Sequence, residues 1–566
     1  PKGDRAQQIR PAHNDQIQKH GCDPVLSVAA VSIFSSTSGR LGPEDFMTLR
    51  SLLRYTAVSF SALVLGLPAH ADPLVVKTDA GKVQGKMSAD SQARDFLGIP
   101  FAAPPVGPLR WKPPQPAAKW HGVRQATSFG SRCMQQEHYA DMVFRDPGEN
   151  EDCLTLNVWA PAQKSRTKLP VMVWIFGGGF AGGGTSEPRQ DGEHLTRKGV
   201  LVVSMNYRLG IFGFFATKEL AAEDPHHAAG NYGLMDQWAC LQWVRRNIKA
   251  FGGDPDNVTI FGESAGSFAV SAQMASPLSK GLFAHAIGES GGAFPGSRLT
   301  FPALDQAEKR DEDYFSSVRS DSSLAALRAA GSAEILELAT RKVAPRFGPD
   351  IDGYFLPRSI PEIYAAGDQA HVPLIAGWNR DEEHAKEDLQ TTASRQFGPR
   401  AEEFLKVYQA TADEDEHRVA DDFAGDNFLV YSTWAWLEAQ VKTGGSSVYR
   451  YLFDLPSPGD PFHPVSAGAF HSDEIEYVFG NLDLRKGAKF RPEDYKLSEL
   501  MQNFWTNFAR GGDPNGAGAP HWPAYNAADN WQVMRLSPDP GAAADKHRDR
   551  YLFLQQIWGK VREAEK

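Results

Sequence analysis

Continuous apolar runs, separated by glycine-rich or polar breaks, set the pattern of this chain. Val171-Met172-Val173-Trp174-Ile175-Phe176 and Val200-Leu201-Val202-Val203-Ser204-Met205 show no alternation of polar and apolar positions. Runs of this kind suit strands buried on both faces, as in a parallel sheet covered by helices. Asp236 to Phe251 switches to helical spacing and precedes another short apolar run, Asn257-Val258-Thr259-Ile260-Phe261. Small and apolar residues from Ser267 to Met274 then predict a second helix, and Ala284–Ile287 and Leu374–Ala376 predict further strands. Strand, helix, strand in this order predicts a doubly wound α/β sheet. Short strands are expected at Leu74–Val76 and Gly81–Gly85, followed by an extended proline-rich passage from Pro100 to Pro116. The stretch from Thr300 to Gly348 is charged and helical in character, suited to a lid or helical insertion over a site.

Composition narrows the class. Of 566 residues, 42% are aliphatic or aromatic and 23% charged, which is ordinary globular usage with material for a large core. The net charge of −10 gives no electrostatic reason to expect nucleic acid or an anionic membrane as partner. The first methionine is Met47. From there the chain reads as a secretory signal: Arg50 and Arg54, an apolar Tyr55–Leu67, and Ala69-His70-Ala71 as a small-x-small cleavage site. The expected organisation is therefore a leader over residues 1–46 with no assigned structure, a signal over 47–71, and one domain over 72–566. The apolar run is shorter than the ~20 residues that span a bilayer, which favours a cleaved signal over an anchor.

Export changes how the four cysteines read. Cys133 and Cys153 bracket a polar loop that a disulfide can close in an oxidising compartment. Cys240 lies in an apolar helical stretch and is expected to be a small buried hydrophobe, and Cys22 falls in the leader. No Cys/His spacing resembles a zinc site. No metal or cofactor is expected.

The chemistry centres on Gly262-Glu263-Ser264-Ala265-Gly266, which sits between an apolar run and a helix. Strand, sharp turn and helix make Gly-x-Ser-x-Gly a nucleophile elbow, with the serine hydroxyl lifted clear of the sheet. A serine hydroxyl needs a base, an acid to orient that base, and amide donors for the oxyanion. Gly177-Gly178-Gly179-Phe180 follows a strand and can supply donors from Gly178 and Gly179, with Ala265 as a third. The same glycines satisfy Gly-x-Gly-x-x-Gly, but Gly183, Gly184 and Pro188 break the helix that a dinucleotide site requires. A second pentapeptide, Gly288-Glu289-Ser290-Gly291-Gly292, lacks a helix-forming continuation, so Ser290 reads as structural. The acid is expected among Asp381, Glu382 and Glu383, beyond a strand end. His471 is favoured as base by chain order and small neighbours, with His463 the alternative.

Taken together these blocks resemble the type-B carboxylesterases, the esterase and lipase family that includes the cholinesterases. Phe251 to Gly266 is similar to the family's serine signature, and Glu151-Asp152-Cys153-Leu154-Thr155-Leu156-Asn157-Val158-Trp159 to its second signature. Phe96–Ala102, Asn206–Gly210 and Tyr477–Gly480 also look similar. The resemblance runs from about Leu74 to Trp558. It implies an α/β-hydrolase fold, a mostly parallel central sheet flanked by helices, with a helical insertion near the active site. It singles out Glu382 as the acid, although Glu383 stands where the family usually has glycine. It also implies His471 as base and a Cys133–Cys153 disulfide. Phe176 replaces the His or Tyr common before the triple glycine, a change expected to alter loop packing more than chemistry. The implied activity is hydrolysis of small carboxylic esters through an acyl-enzyme on Ser264. Two other readings stand beside it: a lipase acting on longer acyl chains, and a catalytically inactive binding protein on the same fold. The Cys133–Cys153 loop has Tyr139 and Phe144 but no tryptophan, which disfavours choline esters.

Overall fold

The computed structural model describes residues 73–136, 139–410, 415–466 and 468–559. The leader and signal segments expected at residues 1–71 lie outside them. Eleven strands form the main sheet: β1 (Lys86–Met87), β2 (Ala93–Pro100), β3 (Thr155–Pro161), β4 (Leu169–Ile175), β5 (Leu201–Met205), β6 (Gly253–Glu263), β7 (His285–Glu289), β8 (Leu374–Asn379), β9 (Val448–Phe453), β10 (Gln532–Leu536) and β11 (Gly541–Ala544). Their spatial order is β11-β10-β9-β8-β7-β6-β4-β5-β3-β2-β1. Every pairing from β5 through β4, β6, β7, β8 and β9 to β10 is parallel, and the pairs at both edges are antiparallel. The expected strands at Leu74–Val76 and Gly81–Gly85 appear as Val75–Lys77 and Lys82–Gln84 of a separate three-stranded sheet.

The apolar runs explain the sheet centre. All five residues of β5 and of β7 are buried, as are all six of β8, because helices cover both faces. Helix α1 (Tyr232–Phe251) crosses from β5 toward β6 and ends on Gly252, whose left-handed φ of 108° closes the helix. Helix α2 (Ala265–Ala275) is buried along its whole length, which its run of Ala, Gly, Ser and Val permits. At the start of α1, Asp236 accepts two charge-assisted bonds from Arg208, so both buried charges are matched.

The charged stretch from Thr300 folds as helices α3 (Leu304–Val318), α4 (Leu324–Ala329) and α5 (Ser332–Ala339), inserted between β7 and β8. A long helical element before β9 is less regular. Helix α6 (Glu416–Gly425) passes through one wide π turn at Asp426–Val430 into α7 (Tyr431–Thr443). Helix α8 (Ile475–Phe479) follows β9, and Phe479 packs with Trp174 and Phe261 of the sheet. No helix of the described residues is long and apolar enough to cross a membrane.

Candidate active site

The site assembles beyond the carboxyl ends of the parallel strands. Strands β4 and β6 are neighbours there, yet the chain visits β5 between them, and such reversals of winding open a crevice. Ser264 follows β6 directly, at φ 54° and ψ −124°. That conformation is strained for a residue with a Cβ, at roughly 1–3 kcal/mol. It is held by the Ser264 amide, which donates to the Glu289 carbonyl of β7 at 2.8 Å. The turn is also too tight for side chains on either flank. A Cβ on Gly262 would meet the Ile175 carbonyl oxygen at 2.5 Å, and one on Gly266 would meet it at 2.0 Å.

His471 arrives from the loop after β9. Its Nε2 stands 3.0 Å from Ser264 Oγ, and its Nδ1 stands 2.6 Å from Glu382 Oε2. With Nδ1–H donated to Glu382, Nε2 presents its lone pair to the serine hydroxyl. Glu382 follows β8 and is fixed at its other oxygen, where Oε1 accepts from the Asn379 amide at 2.6 Å and from Ser290 Oγ at 2.5 Å. The three side chains expected from the sequence therefore meet.

The alternatives do not. Asp381 pairs with Arg418, and Glu383 with Arg298 at 2.7 Å. His463 stacks on Phe470 with ring centroids 4.0 Å apart and faces Asp460 at 3.1 Å. Ser290 also has a positive φ, 56°, but it is fully buried with its hydroxyl committed to Glu382. It is structural, as expected, but its link to Glu382 was not legible.

Gly178 and Gly179 have φ of 96° and 64°, a left-handed turn suited to glycine. The Gly178 carbonyl is occupied by the amides of Ala181 and Gly182, at 3.0 Å each. Ala265 is the first residue of α2, where an amide has no intrahelical acceptor. Phe176 stacks on Tyr207 with centroids 4.4 Å apart, and its carbonyl accepts from Tyr207 Oη at 2.8 Å. The Phe at this position thus packs the base of the loop.

Electrostatics around His471 exceed what the sequence indicated. Glu263 Oε1 lies 3.3 Å from His471 Nε2. Burial by itself lowers the imidazole pKa, but the Glu263 and Glu382 carboxylates outweigh it and raise it to about 9. Burial in turn pushes Glu263 to about 7, and it pushes Glu289 to about 8 and Glu474 well above the usual carboxyl range. Phe428, from the π turn, stands edge-on to His471 at 5.2 Å, with Arg298 over its ring at 5.1 Å. Among the described residues no three His, Cys, Asp or Glu side chains form a group that could hold a metal ion. Cys133 and Cys153 form a disulfide, with Cα atoms 5.0 Å apart, and Cys240 is buried and free.

A strained serine hydrogen-bonded to a carboxylate-held imidazole, facing a glycine turn, has the geometry of acyl transfer. A match to the family described as "Carboxylesterase family" covers residues 72–553. The chain belongs to the carboxylesterase family. Fumonisin B1 esterase of Sphingopyxis macrogoltabida is 36% identical over 80% of this chain and 85% of its own length. Para-nitrobenzyl esterase of Bacillus subtilis (strain 168) is 37% identical over 80% and 92%, and human cocaine esterase 34% over 90% and 97%. Solved structures agree: a PNB esterase aligns with a TM-score of 0.73 at 33% identity, covering 85% of this chain and 99% of its own. The α/β-hydrolase fold and a carboxylic ester hydrolase of the serine type are therefore established for this carboxylesterase.

Proposed function

We propose that Ser264 is the nucleophile of this esterase, His471 its general base and acid, and Glu382 the group that orients His471. His471 Nε2 takes the Ser264 proton as Oγ attacks the ester carbonyl. The amides of Gly178, Gly179 and Ala265 stabilise the oxyanion. Collapse of the tetrahedral intermediate breaks the bond to the alcohol, which leaves with the proton from His471. A water then gives its proton to His471, its hydroxide adds to the acyl-enzyme, and the acid departs as Ser264 Oγ regains the proton.

The observation that carries this reading is the continuous relay from Glu382 through His471 to Ser264, at 2.6 and 3.0 Å. Its test is paired: organophosphate labelling of the wild type, and p-nitrophenyl acetate hydrolysis by Ser264→Ala. Label on Ser264 and loss of turnover support the reading. Near-normal hydrolysis by Ser264→Ala would falsify it.

Small-molecule esters are the proposed substrates, a reading supported by relatives with names such as para-nitrobenzyl esterase and cocaine esterase. A p-nitrophenyl series of rising acyl length separates this from the lipase reading. We further propose that residues 72–566 act as one catalytic domain after cleavage of a signal over 47–71. The disulfide supports export, because such bonds persist in oxidising compartments. Amino-terminal sequencing of exported protein tests this, with Asp72 as the expected first residue.

A further inference from the structure

Arg346 follows the inserted helices, and its Nη2 donates to the Gly179 carbonyl at 2.9 Å. The carbonyl it holds belongs to the turn whose amides face the nucleophile. Tyr139 reaches the same glycine from the disulfide-closed loop. A Cβ placed on Gly179 would stand 2.7 Å from Arg346 Nη2 and 3.4 Å from Tyr139 Oη. The Tyr139 hydroxyl in turn feels both the Arg346 cation and the Glu263 carboxylate beside His471. Arg346 is therefore part of the wall of the site, on the oxyanion side, and is exposed to solvent.

Its charge is matched by no carboxylate among the described residues. Among the described residues, the only hydrogen bond of its guanidinium goes to the neutral Gly179 carbonyl, and it makes no ion pair. The other arginines of the site are matched: Arg189 pairs with Glu187 and Arg298 with Glu383. Asp141, an acid on the Tyr139 loop, lies 4.0 Å from both Arg189 and His463. A guanidinium with free N–H groups and no counter-ion is a preformed receptor for a carboxylate, which it can bind through two parallel hydrogen bonds.

From this arrangement, which rests on the proposed ester-hydrolysis site, we infer that Arg346 binds a carboxylate carried by the substrate and selects acidic esters over neutral ones. The ester then has two recognition points, its carbonyl at the glycine turn and its anion at Arg346. Carboxylates on the acid or the alcohol portion share this chemistry, and the test separates them.

The experiment compares kcat/KM for two matched pairs, monomethyl succinate against methyl pentanoate and 4-acetoxybenzoate against phenyl acetate. Wild type, Arg346→Gln, Arg346→Lys and Arg346→Glu are measured, and the readout is the charged-to-neutral ratio within each pair. For at least one pair, Arg346→Gln is expected to lower that ratio by about tenfold or more, chiefly through KM, on the scale of a charge-assisted hydrogen bond. Arg346→Lys should retain part of it, and Arg346→Glu should reverse the preference. A ratio unchanged in both pairs overturns the inference. So does an equal fall in kcat for both members, which would mark Arg346 as only a prop for the Gly179 turn. If the wild type cleaves none of the four esters and Ser264 takes no label, the ester-hydrolysis site itself is at fault. Cleavage of neutral esters with an unchanged ratio removes only the role of Arg346.

Discussion

Single residues near His471 carry effects of very different size. Ser264→Ala is expected to lower kcat by roughly 10⁴-fold or more, because the nucleophile itself is lost. Ser290→Ala removes one of two donors to Glu382 Oε1 and leaves the Asn379 amide in place. It should therefore lower kcat by about ten- to a hundredfold, the scale of one hydrogen bond to a carboxylate. Glu263→Gln tests the electrostatics. Glu263 raises the His471 pKa, so its removal lets the imidazole lose its proton at lower pH. The rising limb of kcat/KM against pH, which reports the base in free enzyme, should shift to lower pH in that variant. An unmoved limb would mean that Glu263 does not act on His471. Ser264 was legible in the sequence because its motif defines it; chain order and small neighbours favoured His471 with His463 left open, and the family resemblance singled out His471 and Glu382. Ser290, Phe428 and Arg346 join the site from other elements, and Glu263, though next to Ser264 in sequence, meets His471 only when the loop after β9 folds over it.

At the scale of elements, the turn between β6 and α2 is the least forgiving part. Gly266→Ala would drive a methyl group into the Ile175 carbonyl of the neighbouring strand. This variant should lose activity and thermal stability together, whereas Ser264→Ala should lose activity alone, as measured by turnover and thermal unfolding side by side. The disulfide between Cys133 and Cys153 closes a segment with 20-residue separation. Replacing both cysteines with serine is expected to cost roughly 3 kcal/mol on loop-entropy grounds. A thermal midpoint unchanged by reduction would refute that. The buried runs at β4 and β5 were readable because strands covered on both faces leave no polar residue to blur the pattern. The π turn at Asp426–Val430 was not, since nothing in Asp426-Asn427-Phe428-Leu429-Val430 departs from helical composition. It brings Phe428 to His471 and leaves Asp426 buried, bonded to Tyr408 Oη at 2.7 Å.

For the whole molecule, the doubly wound core followed from the order of apolar and helical stretches, while the strands at the β10–β11 edge did not. Residues of β11 are only partly buried or exposed, so no sustained apolar run marks them. The buried acids give the fold a pH signature. Glu289 is fully buried, and its pKa rises from 4.5 to about 8. The folded state then holds a proton that the unfolded chain has released, so this contribution to stability is full below pH 4.5 and is lost as pH rises through about 8. Glu289→Gln keeps an acceptor for Trp505 Nε1 and removes the ionisable proton. Its thermal midpoint should match the wild type near pH 5 and exceed it at pH 9, and parallel curves would contradict the assignment.

The repeated pentapeptide has a practical consequence. One copy ends in an open hydroxyl at Ser264; the other locks its oxygen against Glu382 from Ser290. Reagents that acylate serine should accordingly saturate at one equivalent per polypeptide, and the burst amplitude of a slow substrate would count competent molecules in any preparation.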